Sequence, residues 1–105
     1  MKERPPYWRL IAVLFSAFPL EPSLAMTLYQ AACDCLRDEA PSREIGGDTM
    51  TARVRNLNTE AVLGGISGPA FEARVESEDG TGTVRFFLTR EGAEGVEKPT
   101  REWMN

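Results

Sequence analysis

The feature that most constrains this chain is a pair of alternating segments late in the sequence. In 70–77, Phe71, Ala73 and Val75 recur at every second position, separated by Glu72, Arg74 and Glu76. In 81–90, Val84, Phe86 and Leu88 do the same against Arg85 and Thr89. A period of two sends one set of side chains to each face of a strand. The residues from Glu78 to Gly82 supply a polar, glycine-containing turn between them. The unit reads as an antiparallel hairpin with one packed face and one wet face. Phe87 interrupts the polar set. It suits packing under the C-terminal tail, a pocket wall or contact with a partner.

The same period appears upstream in 49–57, where Met50, Ala52 and Val54 alternate with Thr51, Arg53 and Arg55. Between these strands lies EAVLGGISG, residues 60–68, which admits either a short strand or a glycine-broken crossover. A loop is expected from Pro41 through Gly46 and Gly47, because proline disfavours helical geometry in the residue before it.

Before Pro41 the spacing is helical. Ser23, Thr27, Gln30, Asp34 and Arg37 step by four, three, four and three residues, forming one polar stripe. Leu24, Leu28, Ala31, Ala32, Cys35 and Leu36 gather on the opposite side. This is an amphipathic helix, and Pro22 fits its first turn, where no amide donor is needed. A first helix is expected ahead of it, opened by Pro5 and Pro6 and closed by Pro19. That segment is apolar nearly all round: Tyr7, Trp8, Leu10, Ile11, Val13, Leu14, Phe15 and Phe18 leave only Arg9 and Ser16 as a polar stripe. Such a helix needs cover from the second helix, from the sheet or from another copy, so self-association is expected.

An export signal is the competing reading of residues 1–25. Lys2, Arg4 and Arg9 would form its positive region, 10–18 its apolar region, and Ser23, Leu24 and Ala25 its small-x-small site. Cleavage there would cut into the polar stripe, which favours a retained helix. The apolar run is far shorter than the roughly 20 residues of a membrane span.

The expected architecture is α+β in a single domain over 1–105. A helical pair in 1–41 packs on a three- or four-stranded antiparallel meander in 42–91, followed by a loosely structured tail in 92–105. Its formal charge is −4, with acids and bases interspersed. Nucleic acid gains little electrostatic help from such a surface.

The residues offer little for catalysis. The chain has no histidine, which removes imidazole bases, a Ser-His-acid triad and the usual histidine-containing zinc site. Cys33 and Cys35 stand two apart, a spacing that does not bring side chains together on a helix. Cys35 reads as a buried structural thiol, and Cys33 lies toward the edge of the polar stripe. Asp34 and Asp38 are one helical turn apart and read as solvated acids. Glu72 and Glu76 share a strand face, but Arg74 lies between them and Arg85 is available opposite, which favours charge pairing over acid–base work. Gly64, Gly65 and Gly68 lack the lysine of a phosphate loop and the spacing of a dinucleotide fingerprint. No catalytic, cofactor-binding or metal-binding residue is assigned.

These observations favour a non-catalytic protein–protein interaction or regulatory protein in the cytoplasm. Its partner is another protein, with a second copy of itself as a further candidate, and neither nucleic acid nor an integral membrane. The candidate contacts are Tyr7, Trp8, Arg53, Arg55, Arg74, Arg85, Phe87 and Trp103. One alternative is a small-ligand-binding or enzymatic α+β domain, its pocket bordered by the 64–68 glycines and Phe87 with polarity from Glu72 or Glu76. The other is an exported small protein, secreted or periplasmic, with residues 1–25 removed.

Overall fold

The computed structural model describes residues 7–17 and 19–94. In chain order these form α1 (Tyr7–Leu10), β1 (Ile11–Ser16), α2 (Pro22–Asp38), β2 (Ser42–Gly46), β3 (Met50–Leu63), β4 (Ile66–Ser77) and β5 (Gly80–Leu88). A short helical turn follows at 90–94. The five strands make one antiparallel sheet in the order β1-β5-β4-β3-β2. The architecture is therefore α+β, with a meander of four strands completed by β1 on its far edge. Among the described residues no helix is long and apolar enough to cross a membrane.

Helix α2 follows the polar stripe. Glu21 precedes it in extended geometry, and its carbonyl accepts the Ala25 amide at 2.9 Å. The helix ends at Glu39, held in the left-handed region at φ 54. The Ala40 amide reaches back to the Cys35 carbonyl at 2.9 Å and the Glu39 amide to Leu36 at 3.4 Å. This pair of bonds satisfies carbonyls that would otherwise be orphaned at a helix end. The apolar side buries Leu24, Ala25, Leu28, Ala31, Ala32 and Cys35 against one face of the sheet. That face supplies Ile11, Ala52, Val54, Phe71, Ala73, Val75, Val84, Phe86 and Leu88. Small residues on both layers let the helix approach closely, while Phe71 and Phe86 stack with centroids 5.7 Å apart.

Two segments differ from the sequence expectation. The first helix is reduced to the single turn α1, and 11–16 is an edge strand paired to β5 from Ile11 opposite Leu88 to Ser16 opposite Val84. A short apolar run has no period that separates a buried strand from a buried helix. Here Ile11, Val13 and Phe15 carry strand propensity, and an open edge of β5 supplies the backbone partner. Self-association through an apolar first helix is withdrawn with that helix. The loop expected at 41–47 contains β2, whose Arg43 and Glu44 obscure its alternation; it pairs with β3 from Ser42 opposite Arg55 to Gly46 opposite Thr51.

The ambiguous 60–68 segment belongs to two long strands. Leu63 lies opposite Ile66, and Gly64 and Gly65 have φ of 59 and 82. Positive φ at both central positions is the requirement of a two-residue type I′ turn, and glycine meets it without strain. Below the tip the register shifts between Asn56 and Glu60, and Asn58 sits at φ 56 with its amide on Asn56 Oδ1 at 2.8 Å. This is a bulge in β3, while β4 approaches β5 closely at Gly68, where an added Cβ would stand 1.8 Å from the Leu88 carbonyl oxygen.

Candidate interaction surface

The sheet face away from α2 is built by alternation alone. Because Ala52, Val54, Ala73, Val75, Val84 and Phe86 face the core, their neighbours Arg53, Arg55, Glu72, Arg74, Glu76 and Arg85 must face outward. Antiparallel register lines these up in rungs across the sheet. One rung runs Phe15, Arg85, Glu72, Arg55 and Ser42, crossing all five strands. The next runs Thr83, Arg74, Arg53 and Glu44.

The first rung is electrostatically closed. Arg55 Nη2 donates to Glu72 Oε1 at 2.9 Å, and Arg85 Nε donates to Glu72 Oε2 at 3.1 Å. The two hydrogen-bonded guanidiniums hold the Glu72 carboxyl below the usual carboxylate range. Glu72 is 23% exposed while both arginines are more than half exposed, so water screens the pairs strongly.

The second rung is not closed. Arg53 stands directly opposite Arg74. Arg53 approaches Glu44 at 3.5 Å, whereas Arg74 makes no ion pair among the described residues. These residues, with Thr51, Arg55, Glu72, Glu76 and the backbone at Ala52, line an open concavity of about 510 Å³. The alternating strands therefore put all four candidate arginines on one face, with Arg53, Arg55 and Arg74 lining the concavity and Arg85 outside it.

The aromatic candidates do not join them. Tyr7 and Trp8 stack on each other at 5.7 Å on α1, and Tyr7 packs partly against the main core. Phe87, read above as a possible contact, is fully buried and presents no surface. It lies between Ala12 and Ala70 on neighbouring strands, and the Gly68 backbone closes over its ring. Neither Phe87 nor the 64–68 glycines border the concavity, although Glu72 and Glu76 do. Trp103 lies outside the described residues.

Two apolar exposures were not anticipated. At the hairpin tip Val62, Leu63 and Ile66 are 66%, 50% and 48% exposed. On the edge strand β1, Leu14 and Phe15 are 41% and 54% exposed. The tip carried a usable signal: a Gly-Gly pair between aliphatic residues is a hairpin turn, and a turn puts its flanking side chains in water.

The thiols pack in the interior. Cys33 and Cys35 are free and buried, and burial pushes both above the ordinary thiol range. Cys33 lies on the buried side of α2 rather than at the edge of its polar stripe, next to Tyr29. The Tyr29 hydroxyl donates to the Gly92 carbonyl at 3.1 Å, tying α2 to the turn at 90–94, and burial raises its pKa. Among the described residues no group of three or more His, Cys, Asp or Glu could hold a metal ion. Comparison with known proteins found no matching family model, no matching curated protein and no matching solved structure.

Proposed function

We propose that this chain is a non-catalytic protein–protein interaction or regulatory protein. The observation that carries the reading is the β3–β4 tip, where Val62, Leu63 and Ile66 hold aliphatic side chains in water on a tight turn. Clustered apolar exposure of this kind favours a partner with an apolar groove. Arg74 adds a cation free to meet a partner carboxylate. The reading takes the chain to work in the cytoplasm, where free thiols such as Cys33 and Cys35 persist.

The test is capture from native lysate by the immobilised protein, followed by mass spectrometry, with Leu63→Ser/Ile66→Ser and Arg74→Thr as controls. The wild-type chain retains one stoichiometric protein that the tip variant loses at an unchanged unfolding midpoint. Equal retention by the tip variant refutes the reading.

The arginine-lined concavity supports a second reading, a small anionic ligand held between Arg53 and Arg74. A thermal shift with small carboxylates or phosphates that Arg74→Thr abolishes would favour it over protein capture.

A further inference from the structure

We infer that the concavity on the outer sheet face binds a small amino-carboxylate zwitterion, its carboxylate between Arg53 and Arg74 and its ammonium against Glu76. The inference narrows the second reading above, an anion held by the two arginines, and rests on that reading for its carboxylate half.

The chain itself displays how this face holds a carboxylate. In the first rung Glu72 lies between Arg55 and Arg85 and gives one oxygen to each, at 2.9 and 3.1 Å. The second rung sets Arg53 directly opposite Arg74. Glu44 approaches Arg53 from β2 at 3.5 Å, and Arg74 is left without an ion pair among the described residues. Directly opposed residues have Cα atoms roughly 4.5–5.5 Å apart, close enough for both guanidiniums to donate to one carboxylate.

The charges around this pair select the rest of the ligand. Three arginines and three glutamates line the concavity, so its lining offers no net charge for a dianion to meet. Glu44 and Glu72 are engaged by arginines, whereas Glu76 forms no ion pair among the described residues. Register explains why. Glu76 lies between Thr51 and Thr81, and Arg74 lies between Arg53 and Thr83, so neither has an opposite charge beside it across a strand. Along β4 the two residues are roughly 6.5–7 Å apart, and strand side chains stand nearly perpendicular to the sheet, which keeps their charged ends separate. The lining thus presents an unpaired cation beside an unpaired anion. A simple carboxylate answers the cation and leaves Glu76 as a repelling neighbour. A molecule with a carboxylate and an ammonium a few bonds apart answers both, and γ-aminobutyrate has that form.

Proton–nitrogen NMR at pH 7 and constant ionic strength, with both ligand groups ionised, follows the Arg53 and Arg74 Nε–H signals as γ-aminobutyrate is added. Exposed charge pairs each contribute little, so saturation is expected with a Kd of about 1–10 mM. Butyrate, which lacks the ammonium, should bind about three- to fivefold more weakly, and phosphate no more tightly than butyrate. Arg74→Thr should abolish saturable binding. Glu76→Gln should weaken γ-aminobutyrate to the level of butyrate without weakening butyrate, a loss confined to the ammonium. Equal affinity for butyrate and γ-aminobutyrate overturns the inference while leaving the anionic reading in place. So does phosphate binding more tightly than either, or a preference that Glu76→Gln leaves intact. No saturable shift with any of the three ligands overturns both. If a variant fails to fold, the wild-type comparison of the three ligands decides.

Discussion

Arg53 and Arg74 face each other across β3 and β4, two like charges in direct register. The opposition works against the sheet, since like charges directly opposite destabilise a strand pair by roughly 0.2–1 kcal/mol. Arg74→Thr removes it and places a β-branched residue on the central strand. The variant should be more stable than the wild type by a few tenths of a kcal/mol up to about 1 kcal/mol, measured by urea denaturation at low salt. A stabilising change that also costs partner retention would mark Arg74 as kept for binding.

The row Arg85, Glu72, Arg55 makes stability depend on acid. Glu72 has a lowered pKa in the folded chain. Its contribution is therefore present above the unfolded carboxylate value and is lost as pH falls through the lower folded value. Glu72→Gln should cost up to about 1 kcal/mol at pH 7. At an acidic pH below the ordinary carboxylate range, as the wild-type carboxyl takes up its proton, the difference should shrink. Denaturant titrations at the two pH values check this, and a difference that grows on acidification contradicts it.

Stacked Phe71 and Phe86 form the largest packed pair under α2. Phe86→Ala should cost about 3–5 kcal/mol, because the alanine-lined helix face opposite cannot move in to fill the cavity. Chemical denaturation monitored by far-ultraviolet circular dichroism reads the loss.

Gly68→Ala is expected to damage the molecule although it adds one methyl group. The new Cβ would meet the Leu88 carbonyl 1.8 Å away, and backbone cannot yield as a flexible side chain would. A loss of roughly 1–3 kcal/mol follows from the forced shift. Alanine at the open Gly47 position, where nothing lies within 4 Å, serves as the control.

Cys33 and Cys35 should resist a thiol reagent at pH 8 in the native chain and react together once guanidinium unfolds it. Their burial and raised pKa values both suppress the thiolate. Rapid native labelling of either would show that α2 lifts from the sheet.

Much of this architecture is legible from residue order where a period persists. Helix α2 shows its polar stripe for four full steps, and β3, β4 and β5 alternate long enough to fix their faces and so the common face of four arginines. Legibility fails where an element is short. The six residues of β1 are apolar without a period, and their identity as strand depends on β5, a partner remote in sequence. Strand β2 hides because its charges serve the edge rather than the core. Phe87 violates alternation for a reason visible only in three dimensions: two alanines and a glycine make room for it on the otherwise polar face.

The pairing of Ile11 with Leu88 also sets a timetable. As the chain emerges from the ribosome, β1 is made before α2 and before every other strand, yet its one partner is the last strand of the sheet. Contacts this distant in sequence close slowly. Until β5 arrives, the apolar segment from Tyr7 to Phe15 has no sheet to join. Until then it is an uncovered apolar stretch of the kind a chaperone holds.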